Sequence, residues 1–206
     1  MKKMKRVLVF VLALVMCMGL TGCKKDFDAA GYTKAVLDAN YHAKYDKYAD
    51  FRGLSESDAK KEITDSMKAQ MESAFSGIDV SDEMLAKYIE AADKAYDLAD
   101  FTVKEAKKQD DGSYVVTVAI KPANVFENSS NYVDEIATEY MDKGQDPTQP
   151  DVLVDILVES LNRAIQANTY GDETTLEVHV TEDKDGAYGI EDSEMEIIES
   201  TMFPGE

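Results

Sequence analysis

From residue 28 to about residue 100 the apolar positions return every third or fourth residue, the spacing that gathers them on one face of a helix. Tyr32, Val36, Ala39 and Ala43 make the first row, with Tyr41, Tyr45 and Tyr48 as a second beside it. They predict a helix over residues 28–48, continuous or broken near Lys44, with Arg52-Gly53 as its stop. Ser55, followed by Asp58, predicts the cap of a second helix that turns Ile63, Met67, Met71 and Phe75 inward and ends at Gly77. Ser81 predicts a third cap, with Asp82 and Glu83 set against the helix dipole and Leu85, Tyr88, Ile89, Ala92, Tyr96 and Ala99 buried. Beyond residue 100 the period falls to two. Residues 101–109 and 113–121 alternate on either side of Asp110-Asp111-Gly112, which predicts a hairpin closed off by Pro122.

The second half repeats that order without repeating its residues. After a loop over 124–128, Tyr132, Val133, Ile136 and Tyr140 predict a helix over about 130–142. Two prolines mark the loop 144–150, and Thr148 is the expected cap of a fifth helix reaching about residue 168. That helix is apolar almost all round: only Asp151, Asp155, Glu159, Asn162, Arg163 and Gln166 keep a polar strip, so it is expected to be buried on more than one side and to sit at the centre of the fold. Residues 174–181 and 187–191 predict a second hairpin around 183–186. Ser193 with Glu196 predicts the capping box of a last short helix carrying Met195, Ile198 and Met202. The expected class is α+β: N-terminal helices plus two antiparallel β-hairpins forming a sheet packed on a buried helix.

The first 22 residues follow a different rule. Lys2, Lys3, Lys5 and Arg6 precede an uncharged apolar run, then small residues and Cys23, the anatomy of an export signal. The run is too short for a spanning helix, which takes roughly 20 residues. Leu20-Thr21-Gly22-Cys23 resembles the bacterial lipobox. The resemblance implies that the Cys23 thiol receives a diacylglyceryl group and that cleavage makes Cys23 the new N-terminus. Cys17 lacks the small residue before it and reads as signal core. The expected organisation is a signal over 1–22, a lipidated tether over 23–27 and one extracytoplasmic domain over 28–206, held on the outer face of the membrane. Two acyl chains give stable anchoring where one does not, and Lys24 and Lys25 would each add about 1 kcal/mol against anionic head groups.

Composition narrows the partners. Loss of the signal takes four basic residues from a chain of formal charge −19, leaving −23. Such a chain repels nucleic acid and anionic lipid, so a partner engaged through charge is expected to be cationic. The mature chain would keep only the lipidated Cys23, which excludes an internal disulfide or a cysteine metal site.

Candidate chemistry is sparse. Ser57-Asp58-Ala59-Lys60 and Ser129-Ser130-Asn131 match fragments of the penicillin-interacting serine enzymes, but the Lys-Thr-Gly strand of that chemistry is missing. Asp183, Asp185 and Asp192 have the spacing of three calcium-loop ligands, yet Thr181 stands at the first position and the flanks alternate like strands, so a hairpin turn is expected. His42 and His179 have no supporting ligand pattern. Tyr41, Tyr45 and Tyr48 could line a ligand groove, although core packing with hydroxyls at the surface is the commoner use of such a row.

Tyr32-Thr33-Lys34-Ala35-Val36-Leu37-Asp38-Ala39-Asn40, then Phe101-Thr102-Val103-Lys104-Glu105-Ala106 with its Asp-Asp-Gly-Ser-Tyr turn, and the closing Asp-Gly hairpin make the mature chain similar to the small uncharacterised lipoproteins of Gram-positive anaerobes. The layout also resembles the cone-shaped α+β domains related to nuclear transport factor 2, with an added helical pair between the hairpins. The resemblance carries no catalytic residues and no cofactor. The expectation is a non-catalytic binding or accessory module of the cell envelope. An envelope hydrolase or metal-dependent enzyme and a purely structural envelope protein are the alternatives.

Overall fold

The computed structural model describes residues 26–184 and 186–205. Four helices come first: α1 (Ala29–Tyr41), α2 (Asp46–Arg52), α3 (Glu56–Ala74) and α4 (Asp82–Tyr96). Strands β1 (Asp100–Lys108) and β2 (Tyr114–Lys121) follow, then α5 (Val125–Asp142), α6 (Pro150–Gln166), β3 (Thr174–Glu182), β4 (Tyr188–Ile190) and α7 (Asp192–Met202). The four strands form one antiparallel sheet in the order β1-β2-β3-β4, so the fold is α+β with two hairpins in a single sheet. Tyr114 pairs with Val180 and Ile120 with Thr174, which puts Val116 and Val118 opposite Val178 and Leu176. Val116, Val118, Ile120, Val178 and Val180 are all buried, as period-two alternation requires of one sheet face.

The helix laid against β1 and β2 is α1, while α7 covers β2 and β3. The more apolar α6 instead packs between α4 and α5. Its Leu153, Val154, Leu157, Leu161 and Ala164 join the main core, and Val152 and Ile156 make a smaller cluster with Ile136 of α5. Burial on two sides explains why its polar strip is narrow. Its place is the helical layer rather than the sheet. The α5–α6 pair is an excursion whose ends are bonded together: Gly171 N–H donates to the Pro122 carbonyl at 2.8 Å and Asn124 N–H to that of Thr169 at 3.1 Å. Closing those ends lets β2 and β3 lie side by side although two helices separate them in sequence.

Several boundaries differ from the sequence pattern. α5 begins at Val125 rather than near residue 130, because Val125 and Phe126 are buried and anchor an extra turn. Thr148 does not cap α6. Its N–H and hydroxyl both bond Asp146 Oδ1, and Gln149 precedes Pro150 at the helix start. Ser193 lies inside α7, whose cap position is Glu191. Ser55 and Ser81 cap α3 and α4 through the N–H groups of Asp58 and Met84.

The chain just ahead of α1 is docked into the fold. Phe27 stacks on Tyr188 at 4.1 Å and meets Tyr32, Phe51 and Tyr114 within about 6 Å. Its N–H donates to the Tyr114 hydroxyl at 3.1 Å, and Asp26 pairs with Lys108 at 2.7 Å. Cys23, with the whole expected signal and Lys24 and Lys25, lies outside the described residues. Among the described residues no helix is long and apolar enough to cross a membrane.

Candidate functional site

The α1–α2 junction shapes the site. α1 stops at Tyr41 because Ala43 takes a left-handed conformation, φ +51°, and the N–H groups of His42 and Lys44 turn back to the Asp38 carbonyl at 3.0 and 3.1 Å. A non-glycine residue in that region is strained by about 1–2 kcal/mol. The reversal places Tyr41 and Tyr45 around one part-enclosed cavity of about 340 Å³, a volume within the range of small-molecule sites. Asn40, Tyr41, Ile63, Met67 and Tyr96 are its buried floor, from α1, α3 and α4. His42 and Tyr45 are half-buried sides, and Ala43, Thr64, Asp93, Lys94 and Asp97 form an exposed rim.

Two residues of the floor carry buried polar atoms that are incompletely satisfied. Asn40 Nδ2 donates to the Val36 carbonyl at 2.8 Å, an acceptor that fixes the amide orientation and leaves Oδ1 with no partner. The Tyr41 hydroxyl also has no partner, and its ring sits 6.0 Å from Tyr96 and 5.7 Å from Phe203. Five buried side-chain polar atoms among the described residues are unpartnered, and two of them belong to residues that line the cavity, although neither atom is exposed to it. Burial, then the nearby Glu199 charge, pushes the Tyr41 phenol well above its ordinary value, so it stays a neutral hydroxyl. Tyr96 is raised by the same two causes, but its hydroxyl donates to Glu199 Oε1 at 3.2 Å.

The rim is acidic. Asp93 is exposed by surface area, yet neighbouring atoms crowd its carboxyl, and that desolvation, with the Glu90 charge, raises its pKa. Among the described residues no cation lies within ion-pair distance of Asp93. Lys94, next in sequence, turns to Glu90 at 2.8 Å. Tyr45 is raised by burial and by the Asp93 charge, which places its phenol in the field of that carboxylate. His42 is taken up by protein on both ring nitrogens. Nε2 is 3.0 Å from the Ala99 carbonyl and must donate to it, Nδ1 is 3.3 Å from Asp38 Oδ1, and the ring stacks on Phe101. Asp38 is itself lowered, because bonds from Lys34 and His42 and the charges of Lys34 and Lys44 outweigh the effect of burial.

The other candidates lie elsewhere. Tyr48 is not in the cavity: on α2, its hydroxyl donates to Glu62 at 3.0 Å, and Arg52 pairs with the same carboxylate while lying over the Tyr48 ring. That cluster ties α2 to α3. Asp183 Oδ1 accepts from Ala187 N–H and closes the β3–β4 turn, Asp192 opens α7, and Asp185 lies outside the described residues. Among the described residues no three His, Cys, Asp or Glu side chains converge as a metal site would require. His179 is exposed on β3 and meets Glu194 at 2.8 Å. Ser57 and Lys60 are exposed on α3, whereas Ser129 is buried in α5. Asn40 and Asp93 had no signal in the sequence pattern, since each is a lone polar residue on a different helix.

No protein-family model matches this chain, and no curated protein matches it. The fold is similar to that of ycdA, a candidate lipoprotein of Bacillus subtilis subsp. subtilis str. 168 known from a crystal structure. The TM-score is 0.60 at 13% identity, over 85% of this chain and 56% of that one. This chain therefore spans little more than half the length of that protein, and at such identity the likeness is one of fold.

Proposed function

We propose that this protein is a lipid-anchored binding module of the cell envelope, tethered through diacylglyceryl-Cys23 and taking a small molecule into the cavity between α1, α3 and α4. The observation that carries the binding reading is a part-enclosed cavity of about 340 Å³ lined by Tyr41, Tyr45 and Tyr96 and edged by Asp93 and Asp97. The anchoring reading rests on the lipobox-like Leu20-Thr21-Gly22-Cys23 and is supported by a fold shared with a candidate lipoprotein.

The two parts meet through α1. Asp26 and Phe27 are docked at the sheet, so only Lys24 and Lys25 separate the folded body from Cys23. The cavity lies at the opposite end of the 13-residue α1, about 20 Å away at 1.5 Å per residue. α1 thus acts as a strut that holds the site clear of the anchored end.

Two experiments test this. Cys23→Ala should move the protein from the membrane pellet to the medium or leave it uncleaved; normal processing with retention on the membrane would remove the anchor. A thermal-shift screen of small molecules on the full chain in detergent should give ligands whose shift vanishes in Thr64→Trp, which plugs the rim from an exposed position on α3. Shifts equal in both proteins, or none at all, would remove the cavity from the account.

A further inference from the structure

Contacts at one end of the sheet fix where the chain leaves the folded body. Asp26 pairs with Lys108, the last residue of β1, and Phe27 lies against Tyr114 and Tyr188, the first residues of β2 and β4. Lys108 pairs with Tyr114 beside the β1–β2 turn, and Glu182 with Tyr188 beside the β3–β4 turn. Both hairpin turns therefore lie at the end where the chain emerges. The opposite end carries Asp100 beside Lys121 and Ile120 beside Thr174, with Gly171 bonded to Pro122. The eight residues of β2 run from one end to the other, a rise of about 23 Å. Three residue steps separate Asp26 from Cys23, and an extended chain covers at most about 11 Å in that length. The tether reaches only about half the length of the sheet.

Resting on the anchoring reading above, we propose that the two hairpin turns are the surface this protein turns to the lipid headgroups, with the strands standing away from the membrane. Charge favours the same arrangement. Residues 24–26, 107–113 and 182–186, the tether and the two turns, hold five basic and six acidic side chains. That end is nearly neutral, and the rest of the mature chain carries a formal charge of −22. Tipping the body over would press that acidic remainder onto an anionic leaflet, and repulsion opposes it. The turns do not enter the acyl chains. Among the described residues the exposed large apolar side chains are Met141, Tyr170 and Ile197, and none of them lies in either turn. Contact is therefore at the level of the headgroups.

Lipidation occupies the only cysteine of the mature chain, so an introduced cysteine can be labelled alone. Bimane on Asp110→Cys in the first turn and on Asp172→Cys at the far end places a fluorophore at an exposed position at each end of the sheet. Lys184→Cys, exposed in the second turn, replaces the first if Asp110→Cys folds poorly. The lipidated protein is placed in vesicles of phosphatidylcholine and phosphatidylglycerol. With the two ends about 23 Å apart, a headgroup nitroxide lipid should quench either turn at least about threefold more than residue 172. A nitroxide deep in the acyl chains should quench none of them. Flotation that depends on Cys23, with equal quenching at both ends or more at residue 172, overturns the proposal and leaves the anchor standing. Strong quenching of a turn by the deep nitroxide overturns contact at headgroup level. Flotation that survives Cys23→Ala overturns the anchor, and the proposal with it.

Discussion

Tyr41→Phe tests whether the buried Tyr41 hydroxyl lacks a partner in the folded protein. The substitution keeps the ring, and with it the contacts to Tyr96 and Phe203, and deletes one buried hydroxyl that has no partner. An unsatisfied buried polar group costs about 1–3 kcal/mol. The Phe variant should therefore gain at least about 1 kcal/mol. For a chain of this size that is about 2–4 °C in Tm. Tyr96→Phe is the control, since it deletes a hydroxyl from an equally buried ring but loses the donation to Glu199 Oε1. A hydrogen bond to a charged group contributes about 1.5–3 kcal/mol, so this variant should lose about 3–12 °C. Urea denaturation followed by circular dichroism gives both values, with unchanged m as the check that the native states remain comparable. A Tyr41→Phe variant that loses as much as Tyr96→Phe would show that the Tyr41 hydroxyl is paired in solution.

Three further outcomes are expected. Leu157→Asp places a charge in the main core and should lose about 3–5 kcal/mol of the roughly 5–15 kcal/mol that such chains possess, whereas Glu159→Gln, on the exposed side of α6, should change the urea midpoint little. Ala43→Gly relieves the left-handed strain at the α1–α2 junction and should raise stability by up to about 1 kcal/mol, read by calorimetry; a loss would mean the turn is not strained. Asp93 and Asp38 should act on the pH profile with opposite sign. Asp93, raised in the folded state, opposes folding above its folded pKa and ceases to do so as the pH falls through that value, so Asp93→Asn should raise Tm at neutral pH and lose that gain in acid. Asp38, lowered, contributes stability above the ordinary carboxylate pKa that is lost as the pH falls through its folded value, so Asp38→Asn should lower Tm at neutral pH only.

The sequence disclosed those features whose cause is local. Ser55 with Asp58, and Ser81 with Met84, cap helices through bonds three residues long, so position alone reveals them. The two hairpins follow from alternation on either side of a turn containing glycine. Errors arose where a local bond competes or a distant contact decides. Thr148 reads as a cap, but Asp146, two residues away, captures it first. Val125 and Phe126 read as loop after Pro122 and enter a helix only because the core takes them. The tyrosine row was visible as i, i+4, i+7 on one helix. The left-handed turn at Ala43 divides that row, leaving Tyr41 and Tyr45 at the cavity and sending Tyr48 to Glu62. Asn40 and Asp93 were invisible because a lone Asn near a helix end and a lone Asp on a polar face look like solvated residues. Only the tertiary packing of α3 against both α1 and α4 gives them a shared cavity.

Difference density from crystals of the full chain grown with and without a compound active in the thermal-shift screen tests the binding reading most directly. The binding reading predicts added density in the cavity lined by Tyr41, Tyr45 and Tyr96. A cavity that stays empty, while crystals grown with every compound active in that screen show density only elsewhere on the molecule, would contradict it.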